Sequence, residues 1–167
     1  MHKFVNIFII ALFFCMGCAS QVEKRKEILL KDGIHGFLGT PYQWGSVSEK
    51  GLDCSGFTQE VYRRAGIVIP RTVQEQFEEG RAVEKEKLEY GDLVFFKINS
   101  DEKSGFCFST CLFFNAKVTR PYKVTHVGIY IDDDEFVHSS TSRGVVIDKF
   151  DSSYWKERFV GAKRLLD

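Results

Sequence analysis

Residues 124–140 read VTHVGIYIDDDEFVHSS, and this stretch decides the class of fold. Two runs rich in β-branched and aromatic residues, Val124 to Ile131 and Glu135 to Ser140, flank three consecutive aspartates, as in two strands joined by a turn. Three further runs of this kind occur at residues 92–98, 144–150 and 158–166. The chain before them reads as helical. Helices followed by strands favour a single α+β domain with an antiparallel sheet.

The N-terminal half contains the helical patterns. Residues 55–65 predict a helix that should end at Gly66, because apolar side chains recur at helical spacing on one face, namely Cys54, Phe57, Val61 and Ala65. Residues 28–37 can also form a helix, although two glycines weaken that prediction. Thr72 and Glu75 fit a capping box, so another helix should begin at Thr72.

The composition limits the function classes. The chain has 167 residues, enough for one compact domain, with 44% apolar and 28% charged residues. Its formal net charge is zero and no long basic block occurs, which argues against nucleic acid as a partner.

The first residues predict export. Residues 1–17 combine Lys3 with an apolar stretch and a small residue before Cys18, as in the signal of a bacterial lipoprotein with Cys18 as the lipid anchor. A plain cleaved signal or an uncleaved anchor is the alternative. Residues 18–30 are then expected to form a tether or the start of the first helix, and residues 31–167 are expected to form the folded domain.

Cys54 is the first candidate for chemistry, because it stands at the predicted start of a helix. The partial positive charge and unpaired N–H groups of a helix N-terminus favour the thiolate, which is the nucleophilic form. The same N–H groups can stabilise the oxyanion of a tetrahedral intermediate. The alternative is a buried structural cysteine.

A cysteine nucleophile needs a base, and two of the four histidines suit that role. His126 and His138 fall on neighbouring predicted strands, separated by the three aspartates. If the connecting loop has an odd number of residues, both side chains project from one face, close enough for a Cys–His–third group arrangement. An even loop would place them on opposite faces. The alternative is two half-buried histidines without a catalytic role.

A series of short motifs resembles the NlpC/P60 family of cysteine peptidases, in the order that the family has. The motifs are Thr40-Pro41-Tyr42-Gln43-Trp44-Gly45, Asp53-Cys54-Ser55-Gly56-Phe57, Pro70-Arg71-Thr72, Gly91-Asp92-Leu93-Val94-Phe95-Phe96, His126-Val127-Gly128-Ile129-Tyr130 and Phe136-Val137-His138. They cover roughly residues 30 to 166. The resemblance implies a papain-like α+β fold, with N-terminal helices packed on an antiparallel β-sheet.

The resemblance also implies roles for individual residues. Cys54 would be the nucleophile, His126 the general base and His138 the residue that orients it. Tyr42 would place its hydroxyl near the nucleophile, and Ser55 would contribute to the substrate site. Asp53 matches the family motif too, and it either caps the helix or binds a positively charged substrate amine.

The function implied is a peptidoglycan endopeptidase that needs no cofactor. It would cut stem-peptide or cross-link amide bonds while tethered to a membrane by its lipid, facing the cell wall of the bacterial envelope. Two alternatives remain open at this point. One is another thiol-dependent amidase or acyltransferase acting on small molecules or lipids. The other is a catalytically silent wall-binding lipoprotein.

The chain departs from the family pattern in two places. Ser46 follows Gly45, where the family often has a second glycine. Residues 99–123 form an insertion with an apolar, aromatic middle, predicted to be a wall or lid beside the cleft that narrows substrate choice; the alternative is a separate core patch. Its two cysteines, Cys107 and Cys111, are expected to be ordinary thiols, with a disulfide possible and no metal site.

Overall fold

The computed structural model describes residues 21–98 and 124–166. The predictions for the signal at residues 1–17, for the anchor Cys18 and for the insertion at 99–123 with its cysteines lie outside the described residues. The described part forms helices and an antiparallel sheet, so the predicted α+β class is confirmed.

The first helix, α1, occupies residues 21–37 within the described part of the chain. It turns Leu30, Ile34 and Phe37 into the core, at the spacing of one helical face. Gly33 does not interrupt it, because this glycine lies against Val61 of the next helix, where a small residue permits close packing. The helix runs across residue 30, where the sequence had suggested a boundary between tether and domain.

Helix α2, Cys54–Arg64, carries the predicted nucleophile at its first position. Its predicted apolar face is buried throughout, and Gly66 follows the helix with a φ of +78°, a value that glycine adopts without strain. Helix α3, Val73–Glu78, begins at the predicted capping box of Thr72 and Glu75. A short 3-10 turn, Lys85–Lys87, and the helical turn α4, Ser153–Lys156, were not predicted.

In residues 21–98 and 124–166, eight strands form two sheets. The strands are β1, Val47–Ser48; β2, Gly51–Leu52; β3, Arg81–Val83; β4, Leu93–Phe96; β5, His126–Tyr130; β6, Glu135–Ser140; β7, Gly144–Lys149; and β8, Phe159–Arg164. Strands β1 and β2 pair with each other, and the other six form an antiparallel sheet in the order β3-β8-β4-β5-β6-β7. The five strands predicted from the sequence are β4 to β8. The remaining three were missed because they have only two or three residues each.

The central strands of the large sheet, β4, β5 and β6, are buried on both faces. Alternate side chains of β4, β5 and β6 pack beneath α1 and α2 in the main core, which includes Phe95, Val127 and Val137. The side chains between them enter a second, aromatic cluster on the other face, around Phe96 and Trp155. These three strands therefore carry continuous apolar runs rather than an alternation of apolar and polar residues. Side chains from both faces of the sheet can contribute to the site described below.

Candidate active site

Cys54 lies at the N-terminal end of α2 with only 8% of the residue exposed. Its sulfur is within hydrogen-bonding reach of the backbone N–H groups of Val127 and Ser55. Val127 directly follows His126 on β5, so the predicted nucleophile lies against the strand that carries the predicted base. The first N–H groups of α2 have no partner within the helix, and such groups can stabilise an oxyanion.

Burial, not the helix terminus, decides the protonation state of Cys54. Removal from water raises the pKa of the thiol to about 11, and the Asp53 carboxylate also raises it, while the N–H groups of Val127 and Ser55 lower it. The N–H groups act in the direction predicted from the helix terminus, but burial outweighs them, so the thiol of Cys54 is neutral at neutral pH.

Asp53 completes the N-terminal end of α2. One carboxylate oxygen accepts from the N–H of Gly56 at 2.6 Å, and the other accepts from the N–H of Gly45 at 2.8 Å. Arg71 donates to both oxygens, at 3.0 and 2.6 Å, and the Ser55 hydroxyl donates to the first at 3.4 Å. Five donors fill the capacity of the carboxylate. The geometry thus favours the capping role of Asp53 over the binding of a substrate amine.

Ser55 and Tyr42 occupy different positions around the nucleophile. Ser55 is buried, and its hydroxyl accepts a hydrogen bond from Arg71 at 2.9 Å, so it belongs to the Asp53 network. Tyr42 is half-buried in the loop before α2. Burial raises the pKa of Tyr42, and the proximity of Cys54 and Asp53 raises it further. Tyr42 is therefore the one of these two side chains that stays open to solvent beside the thiol.

The hairpin of β5 and β6 brings the two candidate histidines, His126 and His138, together. Ile129 pairs with Val137, and the strands are joined across the three aspartates. This odd-length loop places both imidazoles on one face of the sheet, so the favourable register is confirmed. The second and third aspartates adopt positive φ angles of 51° and 57°, a region that aspartate tolerates better than most residues.

The imidazoles form a hydrogen-bonded chain that continues to a carboxylate. His126 Nε2 lies 2.9 Å from His138 Nδ1, and His138 Nε2 lies 3.0 Å from Asp148 Oδ2 on β7. Arg143 donates to both oxygens of Asp148, at 2.9 and 2.6 Å, and the indole Nε1–H of Trp155 donates to Oδ2 at 3.2 Å. The chain thus has three titratable members on three neighbouring strands.

These surroundings fix the charges of the chain at neutral pH. Burial lowers the pKa of His126 to about 3, and the neighbouring His138 lowers it too, whereas Asp148 acts to raise it. Burial also lowers the pKa of His138. Although burial acts to raise the pKa of Asp148, hydrogen bonds from Arg143 and His138 hold it below its usual value. The chain therefore consists of two neutral imidazoles and one carboxylate.

Helix α2 and the imidazoles lie on opposite faces of the sheet, and the Cys54 sulfur at the end of the helix reaches the N–H of Val127 at the start of β5. Helix α2 packs on the face that carries Val127 and Ile129, whereas His126 lies on the other face beside Phe96 and Trp155. The ladder between β5 and β6 begins at Ile129, so the first residues of β5 have no partner on that side. This opening leaves the N–H of Val127 available to the sulfur.

A cavity of about 540 Å³ opens beside the histidines. Its lining includes His126, His138, Asp148, Tyr154 and Trp155. The candidates on the helix side, from Tyr42 to Ser55, do not line it. A substrate that reaches both the sulfur and the imidazoles would therefore lie across the start of β5, with this cavity on its histidine side.

Two contributors to this geometry were not found from the sequence. Arg71 stands in the Pro70-Arg71-Thr72 motif, but only the folded chain brings it back to Asp53. Asp148 was included in a predicted strand without a role. The available signal was a charged residue inside a run of valine and isoleucine, which is unfavourable in a strand unless the carboxylate has partners.

Comparison with known proteins agrees with the motifs. The model of the NlpC/P60 family matches residues 39–117 and 102–164, which is most of the chain. This chain belongs to the NlpC/P60 family. The six motifs and the hydrogen-bonded His126 and His138 therefore lie within an NlpC/P60 domain.

This NlpC/P60 chain is similar to two curated relatives and to a solved structure. It is 38% identical over 147 residues to murein DD-endopeptidase MepS/murein LD-carboxypeptidase of Escherichia coli (strain K12), covering 87% of this chain and 65% of the relative. It is 34% identical to the probable endopeptidase NlpC of the same organism. That match covers 81% of this chain and 76% of the relative. A crystal structure of an NlpC/P60 family protein from Bacillus cereus superposes with a TM-score of 0.67 at 36% identity, covering 84% of this chain and 40% of that one.

No helix in residues 21–98 and 124–166 has the length and apolar content needed to cross a membrane. In the same ranges, no three His, Cys, Asp or Glu side chains are grouped so that they could hold a metal ion. Cys54 is present there as a free thiol.

Proposed function

We propose that this protein is a peptidoglycan endopeptidase that cuts stem-peptide or cross-link amide bonds, with Cys54 as nucleophile and His126 as general base. The observation that carries the proposal is the position of the Cys54 sulfur at the start of α2, against the N–H of the residue that follows His126. The E. coli relative named as a murein DD-endopeptidase supports peptidoglycan as the substrate class.

The reaction starts from a neutral pair, because burial keeps both Cys54 and His126 uncharged. His126 accepts the thiol proton as the sulfur attacks the scissile carbonyl, which is general-base catalysis rather than attack by a preformed thiolate. His126 then donates that proton to the leaving amine, and a water molecule, activated by the same imidazole, releases the peptide from the thioester. Each cycle consumes one water and restores the thiol.

Groups near Cys54 stabilise the negative charge that develops during the reaction and contact the substrate. The N–H groups at the start of α2 and the N–H of Val127 donate hydrogen bonds to the oxyanion or to the sulfur as charge forms there. The Tyr42 hydroxyl contacts the substrate beside the thiol. Ser55 acts through the Asp53 network rather than through an exposed hydroxyl, because it is buried and bonded to Arg71.

Localisation is part of the proposal. The N-terminal signal and Cys18 would attach the protein to a membrane of the bacterial cell envelope by a lipid, so that the domain faces the cell wall. Lipid attachment at Cys18 is testable directly, because Cys18→Ala should release the protein from the membrane fraction and remove the acyl mass from its N-terminal peptide. A membrane-bound Cys18→Ala protein without acyl groups would instead indicate an uncleaved apolar segment.

The proposal is tested with muropeptides of defined structure, whose products are identified by mass spectrometry. The wild-type protein should cleave an amide bond of the peptide part, and Cys54→Ala and His126→Ala should each reduce turnover by more than about 1000-fold while keeping the circular dichroism spectrum. His35→Ala, which removes an exposed histidine of α1, is the matched control and should be fully active. Wild-type activity confined to small thioesters or lipids would replace peptidoglycan by another acyl substrate.

A further inference from the structure

Asp148 stands at the far end of the histidine chain and touches neither the thiol nor the carbonyl it would attack. We propose that Asp148, held by Arg143, is a positioning residue that fixes the tautomers of both histidines, so that His126 offers an unprotonated Nδ1 to Cys54. This inference rests on the proposed function only for its activity measurements, because the tautomers can be observed without substrate.

The hydrogen-bond chain determines where each proton lies. The ionised Asp148 can only accept, so His138 must carry its proton on Nε2, 3.0 Å away. A neutral His138 then has an unprotonated Nδ1, which accepts from His126 Nε2–H at 2.9 Å. A neutral His126 protonated on Nε2 has its lone pair on Nδ1. One carboxylate thus selects one of the two tautomers at each ring.

Asp148 can set this order only if its own charge and position are fixed. Arg143 donates to both of its oxygens, and Trp155 donates to Oδ2 from the opposite element, α4. The side chain of Asp148 is 17% exposed, whereas that of Arg143 is 53% exposed. Solvent therefore reaches the guanidinium but hardly the carboxylate, which remains ionised because its pKa is lowered.

Two charged side chains lie next to the two histidines of the hydrogen-bonded chain. Strand β7 contributes Asp148, and the turn before it contributes Arg143. Lys149 also borders the cavity, but it forms its ion pair with Glu135. Asp148 raises the pKa of His126, and Arg143 lowers the pKa of His138. The aspartate and the arginine therefore act on the pKa of His138 in opposite directions.

This opposition gives a readout that a purely structural role would not produce. Removing the charge of Asp148 makes the imidazoles harder to protonate, so the acid limb of the kcat/KM profile should move to lower pH in Asp148→Asn. Removing the charge of Arg143 makes His138 easier to protonate, which breaks the hydrogen-bonded chain, so Arg143→Gln should move the same limb to higher pH. The two shifts have opposite signs although both variants break the same ion pair.

Asp148→Ala and Asp148→Asn separate the hydrogen bond from the charge. The asparagine side-chain oxygen still accepts from His138 Nε2–H, whereas alanine removes the acceptor. Asp148→Ala should lower kcat by about 10- to 100-fold with KM changed less than about threefold, because His126 spends most of its time as the wrong tautomer. Asp148→Asn should lose less of kcat than Asp148→Ala.

The experiment combines muropeptide kinetics with ¹⁵N–¹H correlation spectra of the histidine rings in the full protein without substrate. The wild-type spectrum should show both rings protonated on Nε2; Asp148→Asn should keep this pattern and Asp148→Ala should lose it.

Two outcomes would overturn the inference. One is a spectrum of Asp148→Ala with the wild-type tautomers. The other is an acid limb of the kcat/KM profile that moves in the same direction in Asp148→Asn and Arg143→Gln. If Asp148→Ala does not fold, Arg143→Gln and Asp148→Asn still decide it. A wild-type protein with the expected spectrum but no cleavage would refute the proposed function and leave the positioning role intact.

Discussion

Asp53 and Asp148 lie on the two sides of the site, and each accepts hydrogen bonds from two nitrogens of one arginine. Asp53 pairs with Arg71, eighteen residues away, and supports the helix that carries the thiol. Asp148 pairs with Arg143, five residues away, and supports the histidines. The same kind of bidentate pair thus supports the proposed nucleophile on the helix side and the proposed base on the sheet side.

The two pairs differ in how deeply they are embedded. The side chains of Asp53 and Arg71 are 11% and 35% exposed, and those of Asp148 and Arg143 are 17% and 53% exposed. Asp53 also accepts from two backbone N–H groups. The helix-side carboxylate is therefore part of the local architecture, while the sheet-side carboxylate acts mainly on side chains. Its replacement should change chemistry more than stability.

The largest difference between the two carboxylates is expected in folding stability. Asp53→Ala removes the cap of α2 and leaves Arg71 and the N–H of Gly45 without their partner, so the free energy of unfolding should fall by about 3 kcal/mol. Urea unfolding at pH 7 measures this loss.

Asp53→Asn is the matched control, because asparagine caps helices about as well as aspartate while losing the charge. It should lose clearly less stability than Asp53→Ala. Equal losses would mean that the ion pair, and not the cap, accounts for the effect.

Acid should weaken the sheet side of the site through His126. Its pKa is about 3 in the folded protein and about 6.5 in an unfolded chain, so the unfolded state binds more protons between these values. The contribution of His126 to stability is therefore complete above pH 6.5 and is lost as the pH falls. Between pH 7 and pH 4 this loss should be roughly 3 kcal/mol.

Urea unfolding at several pH values isolates this term when the wild type is compared with His126→Gln. The variant should show a shallower fall of stability between pH 7 and pH 4. His35→Gln, at an exposed position, is the control for the general loss of a histidine. Parallel curves for the wild type and His126→Gln would show that the imidazole is not held neutral by burial.

Asp148→Ala should cost less stability than Asp53→Ala. Its arginine is half exposed and can be solvated, so we expect a loss of about 1–2 kcal/mol, mainly from the unpaired His138 and Trp155. The same urea measurement compares the two variants directly. A loss as large as that of Asp53→Ala would reverse the distinction between an architectural and a chemical carboxylate.

The smallest effect is expected for Trp155→Phe, which keeps an aromatic ring beside His126 but removes the N–H that donates to Asp148. One hydrogen bond to a charged group should be worth about 1 kcal/mol here, because the distance is 3.2 Å and Arg143 still holds the carboxylate. Thermal unfolding can resolve such a change. A loss of several kcal/mol would instead assign the effect to packing in the aromatic cluster.

The same comparison explains what could be predicted from the sequence. Asp53, Cys54 and Ser55 are contiguous, so a single motif identifies the helix side. The sequence placed His126 and His138 on one face only on condition of an odd loop, and the structure supplies that loop as the three aspartates. These features depend on local periodicity, which a sequence displays directly.

Long-range register and desolvation could not be read in this way. In the pairing of β6 with β7, Val146 lies opposite His138. Asp148 is two residues further along β7, so its side chain is on the same face of the sheet and reaches His138. Nothing in the sequence fixes that register. The protonation state of Cys54 was predicted from the helix end alone. The free energy of burying a charge depends on how many side chains close over the sulfur, and only the folded structure gives that number.

The buried, neutral sulfur of Cys54 has a consequence for an enzyme that would work in an oxidising compartment. With a pKa of about 11, about one molecule in ten thousand carries a thiolate at pH 7. Peroxides and alkylating agents react with the thiolate, so the idle protein should resist conversion to a sulfenic acid far better than a cysteine enzyme with a preformed ion pair. Oxidation by hydrogen peroxide should then be slow at neutral pH and become faster as the pH rises toward the pKa of the thiol.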